Sequence, residues 1–154
     1  MNALVIYDST FGNTEQIARA IADFLGETGS VRLVRVSEAG LLDLEGLDLL
    51  ALGCPTQRRR PSAAVEAFLE SIPRKALRGL PAVAFGTRYR KGRWLTGSAA
   101  RGIAKGLQKA GASLILPPES FFVAAREGPL EKGELKRAGG WALEILASFE
   151  AQDR

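Results

Sequence analysis

The chain has 154 residues, 46% hydrophobic and 25% charged, with a net charge of +4 at pH 7, one cysteine and no histidine. That length suits a single domain over residues 1–154 with a core of its own, while the lone Cys54 excludes an intrachain disulfide and the missing histidine excludes His-based triads and the commonest transition-metal ligand. No apolar run reaches membrane-spanning length and no secretory leader precedes the first apolar stretch, so no membrane insertion, no metal and a reducing, cytoplasmic setting are expected.

The run Ala3-Leu4-Val5-Ile6-Tyr7 predicts a first strand. It breaks into Asp8-Ser9-Thr10-Phe11-Gly12-Asn13-Thr14, after which Ile17, Ile21, Phe24 and Leu25 recur with helical period. The loop therefore joins the carboxyl end of a strand to the amino end of a helix, where unpaired N–H groups and the positive end of the helix dipole suit a phosphate. Ser9, Thr10, Asn13 and Thr14 add short donors there, and Gly12 lets the backbone approach closely. Asn13 or Thr14 could serve simply as an N-cap. The loop has neither the lysine of G-x-x-x-x-G-K-[ST] nor a G-x-G-x-x-G, which points to a cofactor with one terminal phosphate.

Gly26 to Ser30 reads as a turn, Val31 to Val36 as a second strand and Ser37 to Gly46 as a connector. Asp48 to Gly53 is a short apolar run expected of a central parallel strand, ending at Gly53-Cys54-Pro55-Thr56. Ser62 to Ile72 predicts a helix with Val65, Phe68, Leu69 and Ile72 inward. Leu80 to Gly86 predicts a fourth strand, followed by a loop through Thr87, Arg88, Tyr89 and Trp94 to Gly97. Ser98 to Ala110 reads as a helix with Ile103 and Leu107 inward. A fifth strand, Ala112 to Leu116 and Ser120 to Val123, is interrupted near Pro117-Pro118, and Leu130 to Phe149 reads as a last helix. Five alternations of strand and helix predict a doubly wound five-stranded parallel sheet in an α/β/α sandwich, with ligand loops at residues 9–14, 53–61 and 86–97.

Ser9-Thr10-Phe11-Gly12-Asn13-Thr14 after Leu4-Val5-Ile6-Tyr7 resembles the phosphate loop of the flavodoxins, and Gly53-Cys54-Pro55-Thr56 resembles their second flavin loop. The resemblance runs through essentially the whole chain. It implies FMN as cofactor, with Ser9 to Thr14 on the phosphate and Pro55, Thr56, Gln57 and Arg58 along one side of the flavin. Gly86, Thr87, Arg88, Tyr89, Trp94 and Gly97 would lie along the other. Either Trp94 or Tyr89 would stack on the ring, and Trp94 could equally be a loop anchor.

Three departures from that family stand out. Gln57 and Arg58 occupy places where flavodoxins often carry a ring-stacking aromatic and a glycine, so a peptide flip to positive φ there should be costly. The third is charge: Gln57 to Lys109 holds 13 Lys or Arg against Glu66 and Glu70, a net of +11, while the remainder totals −7. Arg58, Arg59, Arg60, Arg88, Arg90, Lys91 and Arg93 all fall in the two flavin loops, where flavodoxins carry acids. A cation about 6 Å from a reduced flavin, at an effective dielectric near 20, would stabilise it by at most roughly 3 kcal/mol. Screening would lower this to about 1 kcal/mol, or about 40 mV for one electron.

The expected function is FMN-dependent electron transfer, to a redox partner protein with an acidic docking surface or to a small acceptor such as a quinone. Two alternatives use the same fold. A flavin-free module could bind nucleic acid or an acidic protein through arginines and aromatics, but the intact Ser9 to Thr14 loop argues against such a module, and nucleic acid is not the expected partner. A phospho-acceptor domain would need an aspartate where Gly53-Cys54-Pro55 stands. No motif specifies an oligomeric state.

Overall fold

The computed structural model describes residues 1–90 and 97–152. Strands β1 (Asn2–Tyr7), β2 (Ser30–Arg35), β3 (Leu49–Gln57) and β5 (Pro81–Tyr89) are parallel and lie in the order β2-β1-β3-β5. Two short strands, β6 (Ser113–Leu114) and β7 (Glu119–Val123), share the outer edge of β5 and together form an interrupted fifth strand. The break contains Pro117 and Pro118, which have no N–H to give the ladder. Strand order reverses between β1 and β3, so the ligand edge expected of a doubly wound sheet lies at their carboxyl ends.

Both faces of the sheet are covered, which is why its strands are continuously apolar. Leu4, Ile6, Leu50, Leu52, Ala82 and Ala84 point to one side, toward α2 (Ala63–Ser71) and α3 (Ala99–Lys109). Val5, Ala51, Val83 and Phe85 point to the other, toward α1 (Asn13–Gly26) and α4 (Glu134–Gln152). On that second side Trp141 makes edge contacts with Phe85 at 6.1 Å and Phe121 at 5.9 Å, each pair contributing about 0.5–1.5 kcal/mol beyond its buried area.

Several boundaries differ from the sequence expectation. Strand β3 continues to Gln57 and turns back through Arg58 and Arg59 to pair with β4 (Arg60–Pro61) in an antiparallel hairpin. Strand β5 likewise runs on to Tyr89, so Thr87, Arg88 and Tyr89 are strand residues rather than loop residues. Gln57, Arg88 and Tyr89 leave the covered part of the sheet, whereas Thr87 is still buried. The last helix starts at Glu134, since Leu130 is bridged to Val123. On it Leu135 and Leu143 are exposed and Trp141 is the buried anchor; Phe24 of α1 lies half-buried against Gly139 rather than on β1.

Glu134, almost wholly buried at the start of α4, accepts the Phe122 N–H at 2.8 Å and ion-pairs with Arg137 at 2.7 Å. Burial alone would raise its carboxyl, but the Arg137 and Phe122 hydrogen bonds outweigh it and hold the group below the usual range. The end of β7 is thereby tied to α4.

Gly53 packs directly on the fully buried Phe85 ring, which a Cβ would overlap. Gly53→Ala should therefore lower stability by about 1–3 kcal/mol through overpacking, read as a lower urea midpoint at unchanged m-value.

Candidate functional site

The carboxyl ends of β1, β3 and β5 meet the starts of α1 and α2 around a cleft of about 970 Å³. Its first wall is the loop after β1. The Asp8 N–H donates to Gly53 O at 3.0 Å, fixing the loop against β3. Gly12 takes φ 89°, a left-handed conformation natural to glycine, and starts α1. Ser9 Oγ accepts the N–H groups of Gly12 at 3.0 Å and Glu15 at 3.3 Å. The N–H groups of Thr10, Phe11, Asn13 and Thr14 make no hydrogen bond among the described residues. They lie at the positive end of the α1 dipole, so this end of the cleft is an anion cradle.

Ser9, Thr10, Phe11, Asn13 and Thr14 all line the cleft, with Phe11 half-exposed. Their side chains are also committed elsewhere. Thr14 Oγ1 and Thr87 Oγ1 share a buried hydrogen bond of 2.8 Å, and Asn13 Nδ2 donates to Glu127 O at 3.1 Å. Thr10 Oγ1 accepts from Gln57 Nε2 at 3.2 Å, linking the first and second walls.

The second wall is the β3–β4 hairpin, with Pro55, Thr56, Gln57 and Arg58 on the cleft. Arg58 at φ 49° and Arg59 at φ 68° make a two-residue turn of doubly positive φ. Arg58 thus already has the conformation expected to be costly for it. Two such non-glycine residues cost roughly 1–2 kcal/mol each, offset by the Thr56–Pro61 and Gln57–Arg60 pairs. Thr56 Oγ1 accepts the Ala99 N–H at 3.0 Å and so holds the start of α3.

Thr87, Arg88 and Tyr89 of β5 form the third wall. Gly12, Gly86 and Gly97 do not themselves line the cleft; a Cβ on Gly12 would meet open space. Gly86 packs against Ala99 and Ala100, and Gly97, at φ 67°, bridges the Arg59 backbone so closely that a Cβ would overlap it. Trp94, Lys91 and Arg93 lie outside the described residues; Tyr89 is the described aromatic on this wall.

Sequence reading missed Glu66, Arg126 and Arg35. Glu66 lines the cleft from α2, beside Arg59 and Arg60, which the sequence already places in the second flavin loop. Arg126 joins from the segment after β7, a strand that ends at the same edge, and this could have been anticipated from the fifth strand's direction. Arg35, on β2, is a support behind the loop: it donates to Ser9 O at 3.0 Å and Glu15 Oε1 at 3.1 Å, with its guanidinium 5.1 Å from the Tyr7 ring centroid.

The described rim is strongly cationic. Arg58, Arg59, Arg60, Arg88 and Arg126 face one carboxylate, Glu66, which pairs with Arg60 at 3.4 Å. Arg90 instead turns to Glu131 at 2.9 Å and lies 4.2 Å from the Phe122 ring centroid. Cys54, buried on β3, accepts the Ser62 N–H at 3.4 Å and has its thiol pushed up to about 12 by burial, so it is not a nucleophile. Among the described residues no cluster of three or more His, Cys, Asp or Glu could hold a metal, and no helix is long and apolar enough to cross a membrane.

A doubly wound sheet with an anion cradle at its switch point defines a phosphate-anchored cofactor fold. The chain belongs to the flavodoxin family, whose model matches residues 5–141. Members of that family bind FMN and transfer electrons to redox partners. Its fold is shared with a flavodoxin from the domain Archaea at TM-score 0.77 and 23% identity, covering 97% of this chain and 99% of that one. It is shared with flavodoxin 2 from Bacillus cereus at TM-score 0.79 and 20% identity, covering 96% and 99%. The rubredoxin oxygen:oxidoreductase of Desulfovibrio gigas matches at TM-score 0.76 and 20% identity over 97% of this chain and 36% of its own.

The residues present fit FMN: unpaired N–H groups for a phosphate, hydroxyls beside them, and a cleft at the upper end of the roughly 300–1,000 Å³ typical of ligand sites. Arg35→Ala should change global stability by no more than about 1 kcal/mol, because its ion pair is partly exposed. It should nevertheless speed amide hydrogen exchange at Gly12 and Glu15, whose acceptor, Ser9, it steadies.

Proposed function

We propose that the protein is an FMN-dependent electron carrier, one domain over residues 1–154 working in the cytoplasm. The observation that carries this reading is the set of N–H groups at Thr10, Phe11, Asn13 and Thr14, unpaired among the described residues and placed where a cleft between three strand ends begins. Ser9 to Thr14 would bind the phosphate, with Gly12 allowing the close approach. Pro55 to Arg58 would hold one side of the flavin; Thr87 to Tyr89 would hold the other, with Trp94 or Tyr89 as the stacking aromatic. Gly86 and Gly97 would support these walls from behind. FMN supplies the electron-accepting and electron-donating chemistry when bound.

The chain's own residues anchor, orient and set the local field. Glu66 is the sole carboxylate among the described cleft residues and is paired with Arg60, so no free general acid or base stands there for reduction of a small acceptor. That favours shuttling electrons to a protein over reducing a quinone. The cationic rim favours added negative charge in the cleft, hence a less reducing flavin than an acidic rim would give, and it favours a partner with an acidic docking surface.

Two measurements test this reading. Thr10→Ala should weaken FMN binding about ten- to hundredfold, the value of a hydrogen bond to a charged group, and leave riboflavin binding nearly unchanged, because riboflavin lacks the phosphate. Equal losses, or a purified protein that binds no added FMN, would sink the assignment. In a redox titration Arg126→Gln should make the flavin more reducing by up to roughly 40 mV for one electron; a shift toward a less reducing flavin would contradict the rim's proposed effect.

A further inference from the structure

A second groove, of about 1320 Å³, lies between α2 and α3. On the α3 side it is floored by two glycines: a Cβ on Gly102 would come within 2.6 Å of Pro61 Cγ of β4, and one on Gly106 within 2.8 Å of Leu69 Cδ1 of α2. The neighbouring strip of α3 carries Arg101, Lys105 and Lys109 at i, i+4 and i+8. Beyond the end of α2 the groove is lined by Arg74, Lys75 and Arg78. All six cations are exposed, and none forms an ion pair among the described residues.

Like charges one turn apart weaken a helix; only Lys109, in the last turn, is favoured by the helix dipole, and the row has no ion pair among the described residues to offset the repulsion. The groove is continuous with the cofactor cleft, since Arg59, Arg60, Pro61 and Glu66 line both. A macromolecule lying along α3 would therefore end beside the cleft. No aromatic residue is among the described groove residues, so stacking for nucleic-acid bases is missing. Glu66 and Glu70 on the α2 side would repel a phosphate backbone but suit a protein segment of mixed charge that is mainly acidic.

We propose that the α2–α3 groove is the docking channel for an acidic segment of the electron-transfer partner, seated along Arg101, Lys105 and Lys109 and guided to the cofactor cleft. The proposal rests on the electron-carrier reading above. It places docking on a helical face running away from the flavin, in addition to the rim itself.

The test uses the full chain loaded with FMN and two probes, a short poly-glutamate peptide and an oligothymidylate of equal charge, followed by fluorescence anisotropy across a salt series. The peptide should bind with an affinity that falls as salt rises. Lys105→Glu should reduce that affinity roughly tenfold. It should also hold or raise Tm, because the reversed charge lies one turn from both Arg101 and Lys109, and it should leave the flavin spectrum unchanged. Lys105→Gln gives a milder loss in the same direction and serves should the reversal fail to fold. Lys136→Glu, on exposed α4, should leave peptide affinity unchanged. Undiminished peptide affinity in the Lys105 variants, or an equal loss from Lys136→Glu, would overturn the channel. Tighter binding of the oligothymidylate at matched salt would overturn it in favour of nucleic acid. A chain that takes up no FMN yet keeps Lys105-dependent peptide binding would instead overturn the redox assignment of the occupant, a failure of the electron-carrier reading distinct from a failure of the groove.

Discussion

A buried hydrogen bond of 2.8 Å between Thr14 Oγ1 and Thr87 Oγ1 joins the first turn of α1 to β5, and the cleft's geometry depends on that junction. Either hydroxyl can donate, so both are satisfied without water in a place where an unpaired hydroxyl would cost about 1–3 kcal/mol. With Thr14 held there, the start of α1 has one position relative to the sheet. Ser9 Oγ then takes the Gly12 and Glu15 N–H groups, while four others in the loop stay unpaired within the described chain. Arg35 reinforces the arrangement from behind through Ser9 O and Glu15. The anion cradle is thus a consequence of helix placement, and its side-chain hydroxyls serve as much to position backbone as to meet a ligand.

The parts of this design that were readable in sequence are those whose signals are local. The β1 run and the Ile17, Ile21 and Leu25 spacing mark a strand and a helix by periodicity, and the donors and glycine between them mark the cradle. Strand ends were harder to place. Thr56, Gln57, Thr87, Arg88 and Tyr89 continue β3 and β5 without an apolar pattern, and only pairing with β4 and β7 identifies them as strand. The apolar Leu130 reads as the start of the last helix in sequence, yet its bridge to Val123 holds it outside α4, which begins at Glu134. Charge counting along the chain could not tell Arg90, drawn off to Glu131 and Phe122, from Arg58 and Arg126, which line the cleft. Partners that decide a side chain's direction lie far away in sequence.

The hairpin of Arg58 and Arg59 shows where this chain accepts strain. Asparagine or glycine would take a doubly positive turn at lower energy, so arginine there trades backbone energy for charge at the cleft. The turn survives because its flanks are over-determined, by the Thr56–Pro61 and Gln57–Arg60 pairs on one side and the Gly97 bridge to Arg59 on the other. Strain held by surrounding structure is characteristic of sites where position matters more than stability.

The same preference for charge over stability recurs on α3. A span of +11 set against a remainder of −7 gives the molecule a directional field. Such a field raises encounter rates and orients the approaching partner, and it contributes less to the lifetime of the complex. An electron carrier needs that balance, since a partner held too long blocks the next transfer. Exposed, salt-screened cations beside a groove with few apolar side chains give fast arrival and fast release. A large apolar interface on the same face would slow release instead. The glycines at 102 and 106 fit this logic, since they bring α3 close to β4 and α2 and leave the docking face to charge.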